Sequence, residues 1–74
     1  MAHRWKVTRS IESPCATRCV DIYTDSTGRY GFAEYRRDPE DPSGWRAVGT
    51  VMEPEFAAFD DALAAARRSV GWLG

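Results

Sequence analysis

Phe59, Leu63, Ala66, Val70 and Leu73 recur at steps of four, three, four and three, a spacing that gathers apolar side chains on one stripe of an α-helix. No other stretch of the chain reads clearly at that period. A chain of 74 residues therefore has a single rod with which to shelter the rest of its core. The end signals agree with the stripe. Asp60 and Asp61 lie where carboxylates favour a helix N-terminus, Arg67 and Arg68 where cations favour the other end, and Gly71 where the chain leaves the helix. Ala57, Ala58, Ala62, Ala64 and Ala65 add helix propensity with little bulk.

Upstream the period changes to two. "RCVDIYT" and "RYGFAEYRR" read as strands joined through Asp25-Ser26-Thr27-Gly28, a turn-rich tetrad suited to a tight hairpin. "WRAVGTVM" reads as the next strand, reached through "DPEDPSG", whose prolines block continued pairing and whose Ser43 and Gly44 complete the turn. "RWKVTRSI" supplies a further strand ending before "ESP". The expected fold is α+β: an antiparallel three- or four-stranded meander with one C-terminal α-helix packed across one face, forming a single domain over residues 1–74.

One helix covers one face of such a sheet. Alternation along residues 30–36 places Tyr30, Phe32, Glu34 and Arg36 on one side and Gly31, Ala33 and Tyr35 on the other. The small set is expected beneath the alanine-rich helix. The open face then presents Tyr30, Phe32, Glu34 and Arg36 beside Tyr23 and Asp21 of the preceding strand, and these, Asp21 apart, are the candidate partner-binding residues. The alternative is that the N-terminal segment, with Trp5 and Val7, folds over this platform as a second small core.

Charge and composition narrow the function classes. The net charge is −1, with Lys and Arg balanced against Asp and Glu, as in a soluble globular domain. The balance is uneven along the chain: residues 1–37 hold seven basic and four acidic residues, residues 38–74 three and seven. No stretch is apolar enough to span a bilayer or act as a secretory signal, so a cytoplasmic location is expected, with no membrane partner and with Cys15 and Cys19 reduced. Those thiols and His3 fall short of a zinc set, and the acidic loop lacks the ligand spacing of a calcium site. His3 is given no role. Asp21 and Glu34 are conceivable as paired carboxylates across strands but read as a solvated ladder. No catalytic residue, cofactor or small-molecule substrate is expected. Trp72 and Leu73 are expected either to fold back and seal the helix end or to stay exposed as a docking peptide.

The string "GRYGFAEYRRDP", followed by "WRAVGT" and "FDDALAAA", resembles two kinds of small domain over about residues 19–70. One is the YegP-like bacterial family of unknown function, in which a strand, an Asp/Gly turn, an aromatic-alternating strand and an alanine-containing helix form each unit. The other is the plant ethylene-response-factor DNA-binding domain. That second resemblance implies nucleic-acid contacts from sheet arginines, for which Arg29, Arg36 and Arg46 are the candidates. The chain departs from its pattern by the extra Arg37 before Asp38-Pro39, by the three residues between Trp45 and Gly49, and by Phe32 at a small-residue position. Net charge −1 also disfavours a phosphate-binding role. The leading expectation is a non-enzymatic interaction module that binds a protein partner, or itself as a homodimer, through the open sheet face. Nucleic-acid binding through the same face is the alternative.

Overall fold

The computed structural model of the chain describes residues 5–42, 44–49, 51 and 53–73. Its elements run β1 (Lys6–Glu12), β2 (Arg18–Thr24), β3 (Tyr30–Arg36), β4 (Arg46–Ala47) and α1 (Phe59–Ser69). The strands form one antiparallel sheet in chain order, β1-β2-β3-β4, as the hairpin chemistry predicts. His3 and Ser43 lie outside the described residues.

The β2–β3 hairpin fixes the register of everything that follows. Asp25 accepts from the backbone N–H of Thr27 (2.9 Å), the Thr27 hydroxyl (2.7 Å) and the backbone N–H of Arg29 (3.0 Å). Its carboxyl is held below the usual range by the Thr27 hydroxyl first, with loss of solvent opposing it next, and then by the backbone N–H groups of Arg29 and Thr27 and the charge of Arg29. Gly28 takes the left-handed φ of +86° that closes the loop. The pairs are thus Thr24 with Tyr30, Ile22 with Phe32 and Val20 with Glu34.

That register places Val20, Ile22 and Phe32 on one face, and α1 lies on it. Val20, Ile22, Ala62, Ala66 and Val70 form the buried core, with Tyr30, Phe32, Phe56, Phe59 and Leu63 packed around it. Tyr30 meets Phe59 edge to face with ring centres 6.1 Å apart, and Phe32 lies 6.3 Å from Phe56. The expectation that Gly31 and Ala33 lie under the helix is therefore reversed. The reason is volume: an alanine-lined helix laid on glycine and alanine would bury almost no apolar area, so the sheet must supply the bulk that the helix lacks.

The rest of the chain closes this layer. Expected strand pairing over Trp45–Met52 shrinks to Arg46–Ala47, although the Val48 N–H still donates to the Glu34 carbonyl at 2.8 Å. Gly49 then turns the chain away at φ +76°; Thr50 and Met52 lie outside the described residues. Phe56 returns to β3 through two backbone bonds with Tyr30, 2.8 and 2.9 Å long. The helix starts at Phe59, so Ala57 and Ala58 precede it, and Asp60, Asp61, Arg67 and Arg68 occupy its first and last turns as read. Trp72 and Leu73 do fold back onto the core. The Trp72 indole N–H donates to Glu34 Oε2 at 3.0 Å, an oxygen that also pairs with Arg18 at 3.2 Å.

Candidate functional site

The side of the sheet away from α1 is built from the alternate residues. Cys19, Asp21 and Tyr23 of β2 stand opposite Tyr35, Ala33 and Gly31 of β3, and Glu12, Ser10 and Val7 of β1 stand opposite the same three β2 residues. Trp5 enters this face just before β1 and stacks on Tyr23, with ring centres 5.0 Å apart and planes within 4°. Tyr23 in turn lies across Gly31 and donates from its hydroxyl to the Phe32 carbonyl at 3.1 Å. It is only 3 % exposed, whereas Val7 is 51 % and Trp45 39 % exposed. Trp5 therefore roofs Tyr23; Cys19, Gly31 and Ala33 on this face are buried as well, while Val7 and Trp45 stay exposed.

Asp21 and Tyr35 line two adjoining clefts. One, about 240 Å³, is completed by Trp5, Val7, Tyr23 and Val51. The other, about 270 Å³, is completed by Ser10, Cys19 and Trp45. At its outer edge the Arg37 guanidinium sits 5.0 Å above the Trp45 ring, within cation–π range.

The clefts have a negative character. Burial pushes the Tyr35 hydroxyl above its usual range, and the Asp21 carboxylate adds to the effect. Cys19 is raised by burial and further by its hydrogen bond to Asp21 and by the charges of Asp21 and Glu12, against the lowering effect of the Ser10 hydroxyl. Tyr23 is pushed up to about 12, first by burial and then by Tyr35.

The residues anticipated as a platform are not brought together. Tyr30, Phe32 and Glu34 lie on the helix-covered side, and Arg36 is exposed on that side, opposite Arg46. Only Tyr23, with Asp21, stands on the open side. Asp21 and Glu34 point to opposite faces and form no carboxylate pair. Among the nucleic-acid candidates, Arg36 and Arg46 are cross-strand neighbours, and Arg46 is paired with Asp41 at 3.0 Å. Arg29 is at the far end of β3, on the order of 20 Å away by strand rise.

The sequence reading missed Tyr35 and Trp45 as members of the open face, whereas Trp5 does stack on Tyr23 there, as in its alternative of an N-terminal cover. A signal was available: a hairpin closed by the Asp25–Arg29 pair aligns Ile22 with Phe32, and a face carrying Val20 and Ile22 is the one that needs cover.

At the β1–β2 turn, Cys15 is exposed and Cys19 buried. The Cys15 thiol is lowered to about 7 by the Ser13 hydroxyl first and by Thr17 after it. Among the described residues no group of three or more His, Cys, Asp or Glu side chains is placed to hold a metal ion, and no helix is long and apolar enough to cross a membrane. Compared with known proteins, the chain matches no family model, no curated protein and no solved structure.

Proposed function

We propose that the protein is a non-enzymatic interaction module that engages a protein partner, a second copy of itself included, through the sheet face opposite α1. The observation that carries this reading is the cluster of Trp5, Val7, Tyr35 and Trp45 on the side that the single helix leaves uncovered. Aromatic residues beside a few polar groups are the make-up of binding hot spots. A duplex-binding surface of arginines and aromatics on a common face is less well supported, because the candidates Arg36 and Arg46 project on the helix side while the open side sets Asp21 and Glu12 against Arg37.

The test has two arms. Sedimentation over a wide concentration range reads self-association, and panning of a random peptide library reads partner binding; both are repeated with Trp45→Ser and Val7→Ser. The reading expects self-association or enriched peptides for the native chain, lost in variants that still fold. A monomer that enriches nothing overturns it, as does salt-sensitive binding of duplex DNA that these variants leave intact.

A further inference from the structure

The open face holds a carboxylate at the centre of an aromatic surface, and this limits what can cover it. Asp21 accepts from the Ser10 hydroxyl at 2.5 Å and from the Cys19 thiol at 3.2 Å, and both bonds end on Oδ1. Among the described residues no hydrogen bond or ion pair ends on Oδ2, and no buried side-chain polar atom lacks a partner, so Oδ2 is open to solvent. Among the described residues no Lys or Arg lines either cleft beside it, and Arg37 at the outer edge is held over the Trp45 ring. A partner that seals the face takes Asp21 out of water, and burying an ionised carboxylate without a counter-charge is strongly unfavourable. An apolar partner surface therefore does not fit, and an anionic one fits worse.

A second copy fits poorly too. In a two-fold contact whose axis passes through this cleft the two Asp21 carboxylates meet as like charges at the middle of the interface, and Arg37, the nearby cation of each copy, is already held over Trp45. A side-chain cation meets both demands: it pairs with Oδ2 in a charge-assisted bond and places its charge beside aromatic rings. The cleft of about 240 Å³ gives room for such a side chain to enter between Val7, Val51 and the rings.

We propose that the cleft formed by Trp5, Val7, Asp21, Tyr23, Tyr35 and Val51 receives an arginine or lysine side chain from a peptide segment of a partner protein, with Asp21 as its counter-ion. This rests on the interaction reading above and supplies its ligand chemistry. Trp5 and Tyr23 form one wall as a stacked pair, Tyr35 forms the other, and the Ser10 hydroxyl and Cys19 thiol hold the carboxylate in place through Oδ1.

Blocked Gly-Arg-Gly and Gly-Lys-Gly peptides, with Gly-citrulline-Gly as the uncharged comparison, titrated into the isotopically labelled full chain provide the test. At least one cationic peptide is expected to shift the amide signals of Asp21 and Tyr35 and the Trp5 indole signal, with citrulline binding at least tenfold weaker, as loss of one charge-assisted contact implies at about one decade. Asp21→Asn is expected to weaken the cationic peptide by a similar factor at unchanged fold. Val7→Lys, at an exposed position on the rim, places a cation of the chain's own there and is expected to weaken the peptide independently. Equal binding of citrulline, shifts confined to other surfaces, or full affinity in a folded Asp21→Asn or Val7→Lys variant overturns the proposal. If library panning enriches peptides without Lys or Arg, the cation inference fails and the interaction reading stands. If panning enriches nothing and the chain remains monomeric, the interaction reading itself fails.

Discussion

Gly31→Ala separates the structure from simple propensity by the sign of its effect. Glycine inside a strand is destabilising by about 0.5–1 kcal/mol relative to alanine, so an open site would gain that much from the methyl group. At Gly31 the added Cβ would lie 2.8 Å from Tyr23 Cε1 and 3.1 Å from the Pro54 Cα. Neither neighbour gives way freely. Pro54 offers backbone, and the Tyr23 ring is held between Gly31 and Trp5 with its hydroxyl bonded to the Phe32 carbonyl. Displacing the ring forfeits about 1 kcal/mol of stacking and about 1 kcal/mol of hydrogen bonding, on top of overpacking at 1–3 kcal/mol, taken as about 1 because the ring moves. Set against the propensity gain, the net cost is about 2 kcal/mol.

For a domain of this size such a loss lowers Tm by roughly 10 °C or somewhat more. Thermal melts followed by circular dichroism measure it directly. Gly71→Ala, where the new Cβ meets nothing within 4 Å, serves as the control and is expected to change Tm little. In the Tyr23→Ala background Gly31→Ala should cost at least about 1 kcal/mol less, a coupling expected only of residues in contact. If Gly31→Ala melts at or above the native chain, Tyr23 does not lie across Gly31 and the open face is built differently.

Two further outcomes follow from the same geometry. Phe32→Ala is expected to cost about 2–3 kcal/mol in denaturant unfolding, below the range for a fully buried ring because Phe32 is half-buried; an effect within about 0.5 kcal/mol is what an exposed position gives and would place Phe32 on the other side. In a pH series of alkylation rates, Cys15 should reach half its limiting rate near 7, since the thiolate is the nucleophile. Cys19, buried and raised, should lag it at every pH and respond only above the ordinary thiol range. Ser13→Ala and Thr17→Ala each remove a donor that favours the thiolate and should move the Cys15 profile to higher pH, whereas an unshifted profile refutes that cause.

The architecture was legible in the sequence because local rules sufficed for it. The 59–73 stripe marks the helix, the Asp25–Gly28 tetrad marks the hairpin, and "RWKVTRSI" marks β1, found at Lys6–Glu12. Which face the helix covers was not legible from β3 alone. Its two faces, Tyr-Phe-Glu-Arg and Gly-Ala-Tyr, each admit a covering helix if only closeness of approach is considered. The deciding quantity is the volume summed across strands, and it appears once Val20 and Ile22 are aligned with Glu34 and Phe32. β4 was overestimated because Trp45-Arg46-Ala47-Val48 alternates like a strand while Gly49, in the left-handed region, ends the pairing. Trp5 and Trp45 reach the open face from segments flanking β1 and β4, a tertiary placement that no periodic pattern records.

α1 lies against Val20, Ile22 and Phe32, while Asp21, Tyr23 and Tyr35 stand on the reverse side. Nuclear Overhauser contacts from the methyl groups of Ala62 and Ala66 measure this directly. The structure predicts contacts from these methyls to the Val20 and Ile22 methyl groups and to the Phe32 ring, with none to the Tyr35 ring. Contacts from the helix methyls to Ala33 and Tyr35, with Phe32 free of them, would contradict it.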